Sequence, residues 1–327
     1  MPQRPAARSA LDTMNMVVAA RRYYLDGTTK SDIADELKLS RFKVARLLDE
    51  AVARGIVSFQ IHAPRDVDVD LSLRLAETFG IRQALVLELP DGPPDFTRGQ
   101  LGRVGAEVLG SLIEPDDVIG VAWGRTLHAM VKVLPPLARC TVVQIVGSVP
   151  TSDLQVNSLD LARAVADRAG GTMSLLHVPM VVDSADTARR LRAEPFVRQT
   201  VDMFDHLDRA LVSVGAWEPG HSALMDAIPD DLRQQLLDAG AVADVCTAIL
   251  DAGGAQVQVG DLPGRSIAIT PKQLRAVPDV VALVGGGAVR APAIRAALRS
   301  GLLHRLITDT ATARALLDLD LEVSRAV

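Results

Sequence analysis

At 327 residues with 48% hydrophobic side chains, the chain is long enough for more than one core, since single domains usually run to about 100–200 residues. Its two cysteines, Cys140 and Cys246, exclude a disulfide framework and any CxxC site for zinc or thiol redox chemistry. The net charge of −5 speaks against nucleic acid for the chain as a whole, yet residues 1–65 hold 11 Lys and Arg against 7 Asp and Glu, net +4, which leaves −9 for the rest.

The opening residues, MPQRPAARSALDT, lack the apolar core of a signal peptide, and no later segment approaches the ~18 uninterrupted apolar residues of a membrane span. A cytoplasmic protein with no membrane partner is expected. A first helix is predicted over about Met14 to Leu25, with Met16, Val17, Ala20 and Tyr24 on its apolar stripe and Gly27 just past its end. Thr28 or Thr29 then caps a second helix, in which Ile33, Ala34 and Leu37 share a face. Ser40 caps a third, whose Val44, Leu47, Leu48 and Ala51 form the buried side, and at the start of that helix Ser40 is itself an expected DNA contact.

Two short helices joined by a tight turn, with the small Ala34 at their crossing, predict a helix-turn-helix. Arg41, Phe42, Ala45 and Arg46 fall near the N-terminal, outward side of the reading helix, within reach of base edges. Lys43 and Lys30 are better placed for phosphates. Lys38 stands where the turn most often has Gly, so a left-handed backbone there carries a cost. After Gly55, the alternating IVSFQIH predicts a short β-wing, which completes a domain over residues 1–65.

Residues 66–327 alternate strand-like and helix-like segments. The apolar runs are ALVLEL (84–89), DVIGVA (117–122), TVVQIVG (141–147), ALVSVG (210–215), SIAIT (266–270), VVALVGGG (280–287) and LITD (306–309). Amphipathic helices are predicted between most of them, including Arg98–Ile113, Asn157–Ala169 and Ala291–Leu298. Continuous apolar strands alternating with helices predict a Rossmann-like α/β domain with a parallel sheet covered on both faces.

Ligands of such domains bind at the carboxyl ends of the strands. GVAWGRT (120–126) leads from strand to helix, and Gly124 with Thr126 can offer amides and a hydroxyl to an anion. Gly147 and Ser148 end the next strand and Gly215 another. In GGGAVRAPAI (285–294), Gly286 and Gly287 open a helix and Arg290 adds a fixed positive charge. Together these loops suit a small phosphorylated or polyhydroxylated ligand.

In this order, AARRYYLDGTTKSDIADELKLSRFKVARLLDEAVARGIV, DDVIGVAWGRT, VPMVVDSADTARRLRAEPFVRQTVD, GAVADVCTAILDAGG and AIRAALRSGLLHRLITDTATARALL resemble the SorC-type, DeoR-like sugar-binding transcriptional regulators of bacteria. The resemblance runs from about Met16 to Leu317. It implies an effector domain like that of sugar-phosphate isomerases and assembly as a homodimer or homotetramer. It also places Gly120, Gly124, Arg125 and Thr126 in an anion-binding loop, Gly147 and Ser148 in its neighbour, and Asp244 in the pocket as an acceptor for sugar hydroxyls. Many members have GGxxK where this chain has Arg290, so the effector is expected to differ in size or in phosphorylation.

The fold resemblance makes a sugar-phosphate isomerase or deaminase the rival reading. Sugar isomerisation uses a carboxylate base and often a lysine. Beyond residue 65 the only lysines are Lys132 and Lys272, neither in a Gly-rich loop. The six histidines, His62, His128, His177, His206, His221 and His304, make no metal-binding pair, and no GxSxG, Walker or GxGxxG motif occurs. No cofactor or metal is expected. A purely architectural DNA-binding protein would not need an acidic α/β domain with ligand loops. The sequence therefore reads as a ligand-responsive repressor of a carbohydrate or polyol catabolic operon, with operator DNA and a sugar, sugar phosphate or polyol as its partners.

Overall fold

The computed structural model describes residues 10–59, 66–90, 92–149 and 158–326. The chain divides into two compact units, Met1–His62 and Ala63–Val327.

The small unit holds α1 (Ala10–Tyr24), α2 (Lys30–Leu37) and α3 (Arg41–Ala53). Thr29 and Ser40 cap α2 and α3, accepting from the backbone N–H of Asp32 and Lys43 at 3.3 and 3.2 Å. Ile33 and Ala34 of α2 and Val44, Leu47, Leu48 and Ala51 of α3 are buried together with Met16, Ala19 and Ala20 of α1. The inward stripe of α1 is thus Met16, Ala19 and Ala20, with Tyr23 packed against it, whereas Val17 and Tyr24 are exposed; the predicted stripe was rotated by one residue. Of the predicted wing, Ile56–Phe59 form no strand, and residues 60–62 lie outside the described part of the chain.

Lys38 adopts the left-handed conformation, φ 54° and ψ 43°. Its N–H donates to the Ala34 and Asp35 carbonyls, and Leu39 N–H reaches back to Ala34 O at 2.9 Å, a Schellman-type closure of α2. Leu39 packs against the core just beyond, so hydrogen bonds and an apolar contact together hold the lysine in a conformation unfavourable for a side chain with Cβ. Lys38→Gly is expected to stabilise the small unit by up to about 1 kcal/mol, read as slower amide exchange in α2 and α3 of the full-length protein.

The large unit begins with α4 (Val69–Phe79), β1 (Gln83–Leu87), α5 (Pro94–Leu112), β2 (Val118–Val121), α6 (Arg125–Val131), β3 (Thr141–Gln144), α7 (Ser158–Ala169) and β4 (Thr172–Ser174). Then follow α8 (Ala185–Ala193), α9 (Pro195–Asp202), β5 (Arg209–Val212), β6 (Val214–Ala216), α10 (Ala223–Ala227), α11 (Asp230–Asp238), β7 (Ala241–Val245) and β8 (Ala248–Asp251). The chain finishes with α12 (Leu262–Arg265), α13 (Pro271–Ala276), β9 (Asp279–Leu283), α14 (Gly287–Arg299), β10 (Arg305–Asp309) and α15 (Thr310–Ala326).

Among the described residues, seven strands form one parallel sheet in the order β1-β10-β9-β5-β2-β3-β4. Apart from the edge strand β4, whose residues are not buried, alternate residues of the strands enter different cores. Val280 and Ala282 join the core shared with α4, α14 and α15, while Val281 and Leu283 join that of α5, α6 and α7. Burial on both faces explains why these strands read as unbroken apolar runs. The fold is α/β, as the sequence predicts. SIAIT is the exception: Ser266 and Ala268 make only isolated bridges, to Val181 and Val146.

A second, antiparallel sheet of β6, β7 and β8 packs against α14. The run ALVSVG therefore holds two strands, β5 in the parallel sheet and β6 in the small one, separated by Ser213 alone. From β2 the chain steps outward through β3 to β4, and from β5 it steps the other way through β9 and β10 toward β1. The order reverses between the adjacent strands β2 and β5, and a crevice opens at their carboxyl ends.

Candidate functional site

That crevice is a cleft of about 480 Å³, within the usual size of a small-molecule site. Loops following β1, β2, β5, β9 and β10 form its walls, and the small sheet adds one more. Gly124 lets the β2 loop pass close to the β5 loop, since a Cβ there would lie 2.7 Å from Ser213 Cβ. Of the predicted effector residues, Gly124, Arg125, Thr126, Gly215, Asp244, Gly286, Gly287 and Arg290 all line the cleft.

Gly120, Gly147 and Ser148 do not. Gly120 lies within β2, where a Cβ would press on Ile145 and Leu207 at 2.9 Å. Gly147 packs against the Pro179–Met180 backbone, and the Ser148 N–H and C=O bond Val178 and Met180 at 2.8 Å. The loop after β3 makes backbone bonds to the segment around Pro179, and these three residues lie outside the lining of the cleft.

Asp244 is almost fully buried on β7, opposite Gly215 of β6, where any Cβ would overlap its carboxylate. The Ser222 hydroxyl donates to Asp244 Oδ1 and itself accepts from Met225 N–H at 3.0 Å as the cap of α10. Burial pushes the Asp244 carboxyl up to about 6; the Ser222 hydrogen bond and Arg290 work against that rise, and Asp226 adds to it.

Arg290 lies over the amino end of α14. Its Nη2 donates to Val214 O and its Nη1 to Gly285 O at 3.4 Å, whereas its buried Nε finds no acceptor. Burial lowers it to about 10, aided by the positive charges of Arg125 and Arg98 and opposed by Asp244, so it stays charged near neutrality. Arg125 reaches across to Gly220 O at 3.0 Å, and Gly220 N–H donates to Asp226 Oδ1 at 3.2 Å. Arg98, opening α5, brings a third guanidinium to the lining.

Arg98, Ser222, Asp226 and Asp309 also line the cleft, beyond the residues predicted from the sequence. Asp309 ends β10, accepts from Thr312 N–H and Oγ1 at 2.8 and 2.9 Å, and thereby orients Thr312 Oγ1 to accept from Gly287 N–H at 2.9 Å. A carboxylate at the carboxyl end of a predicted strand was the available signal. Lys132 and Lys272 are exposed and lie outside the lining; among the described residues, no lysine lines the cleft. Nor do the described residues hold a group of three side chains able to bind a metal ion, or a helix long and apolar enough to cross a membrane.

In the small unit, Arg41, Phe42, Lys43 and Arg46 are exposed and Ala45 is half-buried on α3. Ser40 Oγ accepts from Lys43 N–H as the cap of α3 and is exposed, and Lys30 rests its ammonium 5.3 Å from the centre of the Tyr23 ring, a cation–π contact.

Residues 65–318 match the family described as "Putative sugar-binding domain". The chain is 31% identical over 310 residues to the uncharacterized transcriptional regulator YjhU of Escherichia coli (strain K12), covering 91% of this chain and 93% of that one. It is 29% identical over 307 residues to the deoxyribonucleoside regulator of Bacillus subtilis (strain 168), covering 92% and 96%. In fold it is similar to the full-length sorbitol operon regulator SorC of Klebsiella pneumoniae, with a TM-score of 0.71 at 24% identity over 94% of this chain and 100% of that one. These relatives bear the names of regulators, not of enzymes. With a helix-turn-helix order of helices ahead of a parallel-sheet domain and its cleft, the chain belongs to the SorC-type family of sugar-binding transcriptional regulators.

Proposed function

We propose that the protein is an operator-binding repressor whose affinity for DNA is set by a small phosphorylated sugar or polyol in the cleft. The observation that carries this reading is the meeting, in one cleft, of three guanidiniums, Arg98, Arg125 and Arg290, with the buried Asp244–Ser222 pair. A phosphate suits the cationic part and the amino end of α14. Sugar hydroxyls suit a carboxylate that can only accept once ionised. The names of two relatives, a deoxyribonucleoside regulator and a sorbitol operon regulator, agree with a ligand of this class.

Two copies of the chain set the separation of two reading helices, matching half-sites one helical turn or a multiple of it apart. The effector then acts through its different affinity for the DNA-competent and DNA-incompetent arrangements. Thermal shift with paired free and phosphorylated sugars and polyols tests the cleft: a phosphorylated member should raise the melting temperature more than its free counterpart. Stabilisation by free sugars alone would remove the phosphate from the reading, and turnover of any hit would restore the enzyme. On the DNA side, Arg46→Ala is expected to cost about 1–3 kcal/mol in specific operator binding and to relax preference at one base pair, measured by titration of operator and mutated duplexes.

A further inference from the structure

Phe42 stands out of its own unit. At 85% relative exposure it is the most exposed of the large apolar side chains described, on a helix whose inner face is filled by Val44, Leu47, Leu48 and Ala51. An aromatic ring is among the largest contributions a side chain can make to a core or an interface, and here the fold makes no use of it. Ser40 fixes the start of α3, so the ring projects from the first turn, the part of a reading helix that enters the major groove.

Positions 42, 45 and 46 are three and four residues apart and share one face. That face runs from the Phe42 ring over the half-buried methyl of Ala45 to the exposed guanidinium of Arg46, with exposed Arg41 and Lys43 on either side of the ring. Cations surrounding an apolar tip fit a polyanion that carries apolar groups between its phosphates. In the major groove thymine supplies such a group, its C5 methyl, while guanine offers O6 and N7 to an arginine fork.

The geometry points to Phe42 as a thymine reader: its ring packs on a thymine methyl in each half-site, beside a guanine held by Arg46. The inference rests on the DNA-reading role proposed above and goes further by naming the base and the group on it.

The test uses the full-length protein and a pool of randomised duplexes. Selected duplexes are remade with deoxyuridine in place of thymidine, one position at a time, which deletes the methyl and leaves base pairing intact. Wild-type protein should lose about fourfold in affinity at one position of each half-site, next to a required guanine. Phe42→Ala should bind thymidine and deoxyuridine duplexes alike while keeping the guanine preference, and Phe42→Leu, with a smaller apolar tip, should keep part of the discrimination. Wild-type indifference to deoxyuridine at every position, or an unchanged loss in Phe42→Ala, would overturn the inference and leave DNA binding standing. Selection that enriches no duplex would overturn DNA binding itself, and the inference with it.

Discussion

Replacing Asp244 with Asn is expected to stabilise the ligand-free protein near neutral pH and, in the same variant, to weaken effector binding. The Asp244 carboxyl ionises at about 6 in the fold, chiefly because it is buried, against about 4 in an unfolded chain. Between these values the fold holds a proton that the unfolded chain has already released. The stabilisation from that proton is complete below about pH 4, declines as pH rises toward 6 and is lost above it, a swing of about 2–3 kcal/mol. Asn carries no charge to bury and still accepts from the Ser222 hydroxyl, so its melting temperature should change much less between pH 5 and 7.5 than that of the wild type. Binding should move the other way. A carboxylate accepting from sugar hydroxyls is replaced by a neutral amide, at a cost of about 1.5–3 kcal/mol, or roughly ten- to more than a hundredfold in Kd by calorimetry. Equal pH profiles for the two proteins would show that Asp244 is ionised in the fold at its ordinary pH.

Arg290→Met should separate phosphorylated from free ligands. The methionine keeps the apolar stem that lies against Gly286 but loses the donors to Val214 O and Gly285 O and the positive charge that Arg290 brings to the loop after β9. Holding a buried guanidinium already costs desolvation, reflected in its lowering to about 10, and this offsets part of what the two lost hydrogen bonds contribute to stability. The ligand phosphate has no such compensation. A loss of about 2–5 kcal/mol is expected for a phosphorylated effector, and little change for its free counterpart. Arg290→Lys should fall between, because one ammonium cannot both bond Val214 O and reach a phosphate in the manner of a planar fork. Equal losses for both ligands would assign Arg290 to the shape of the cleft rather than to a phosphate.

Much of this architecture is legible from residue order because its strands are buried on both faces. VVALV, short, rich in Val and followed by three glycines, reads as a strand between two cores, and Val44, Leu47, Leu48 and Ala51 share one face once Ser40 begins the helix. The glycines of GVAWGRT and GGGAVR likewise announce loops at strand ends. The small antiparallel sheet was hidden for a related reason. β7 and β8, AVADV and AILD, alternate in neither polarity nor size, and the turn between them places Cys246 at φ 59°, with no Asn-Gly or Gly to mark a hairpin. Asp244 was therefore reached only through family resemblance. Gly147 and Ser148 show the opposite case: their pattern matches a ligand loop, but they lie outside the cleft lining and the backbone around Pro179 packs on Gly147, a distant neighbour that no local sequence signal reports.

The single residue Ser213 joining the two sheets limits what the cleft can do. One residue spans at most about 3.6 Å, so the strand bearing Gly215 cannot swing away from the end of β5 like a flap on a long tether. With β6, β7 and β8 packed on α14 as well, that strand is tied both to the parallel sheet and to this helix. Gly215 is thus held from both sides, by the end of β5 and by the thirteen-residue α14.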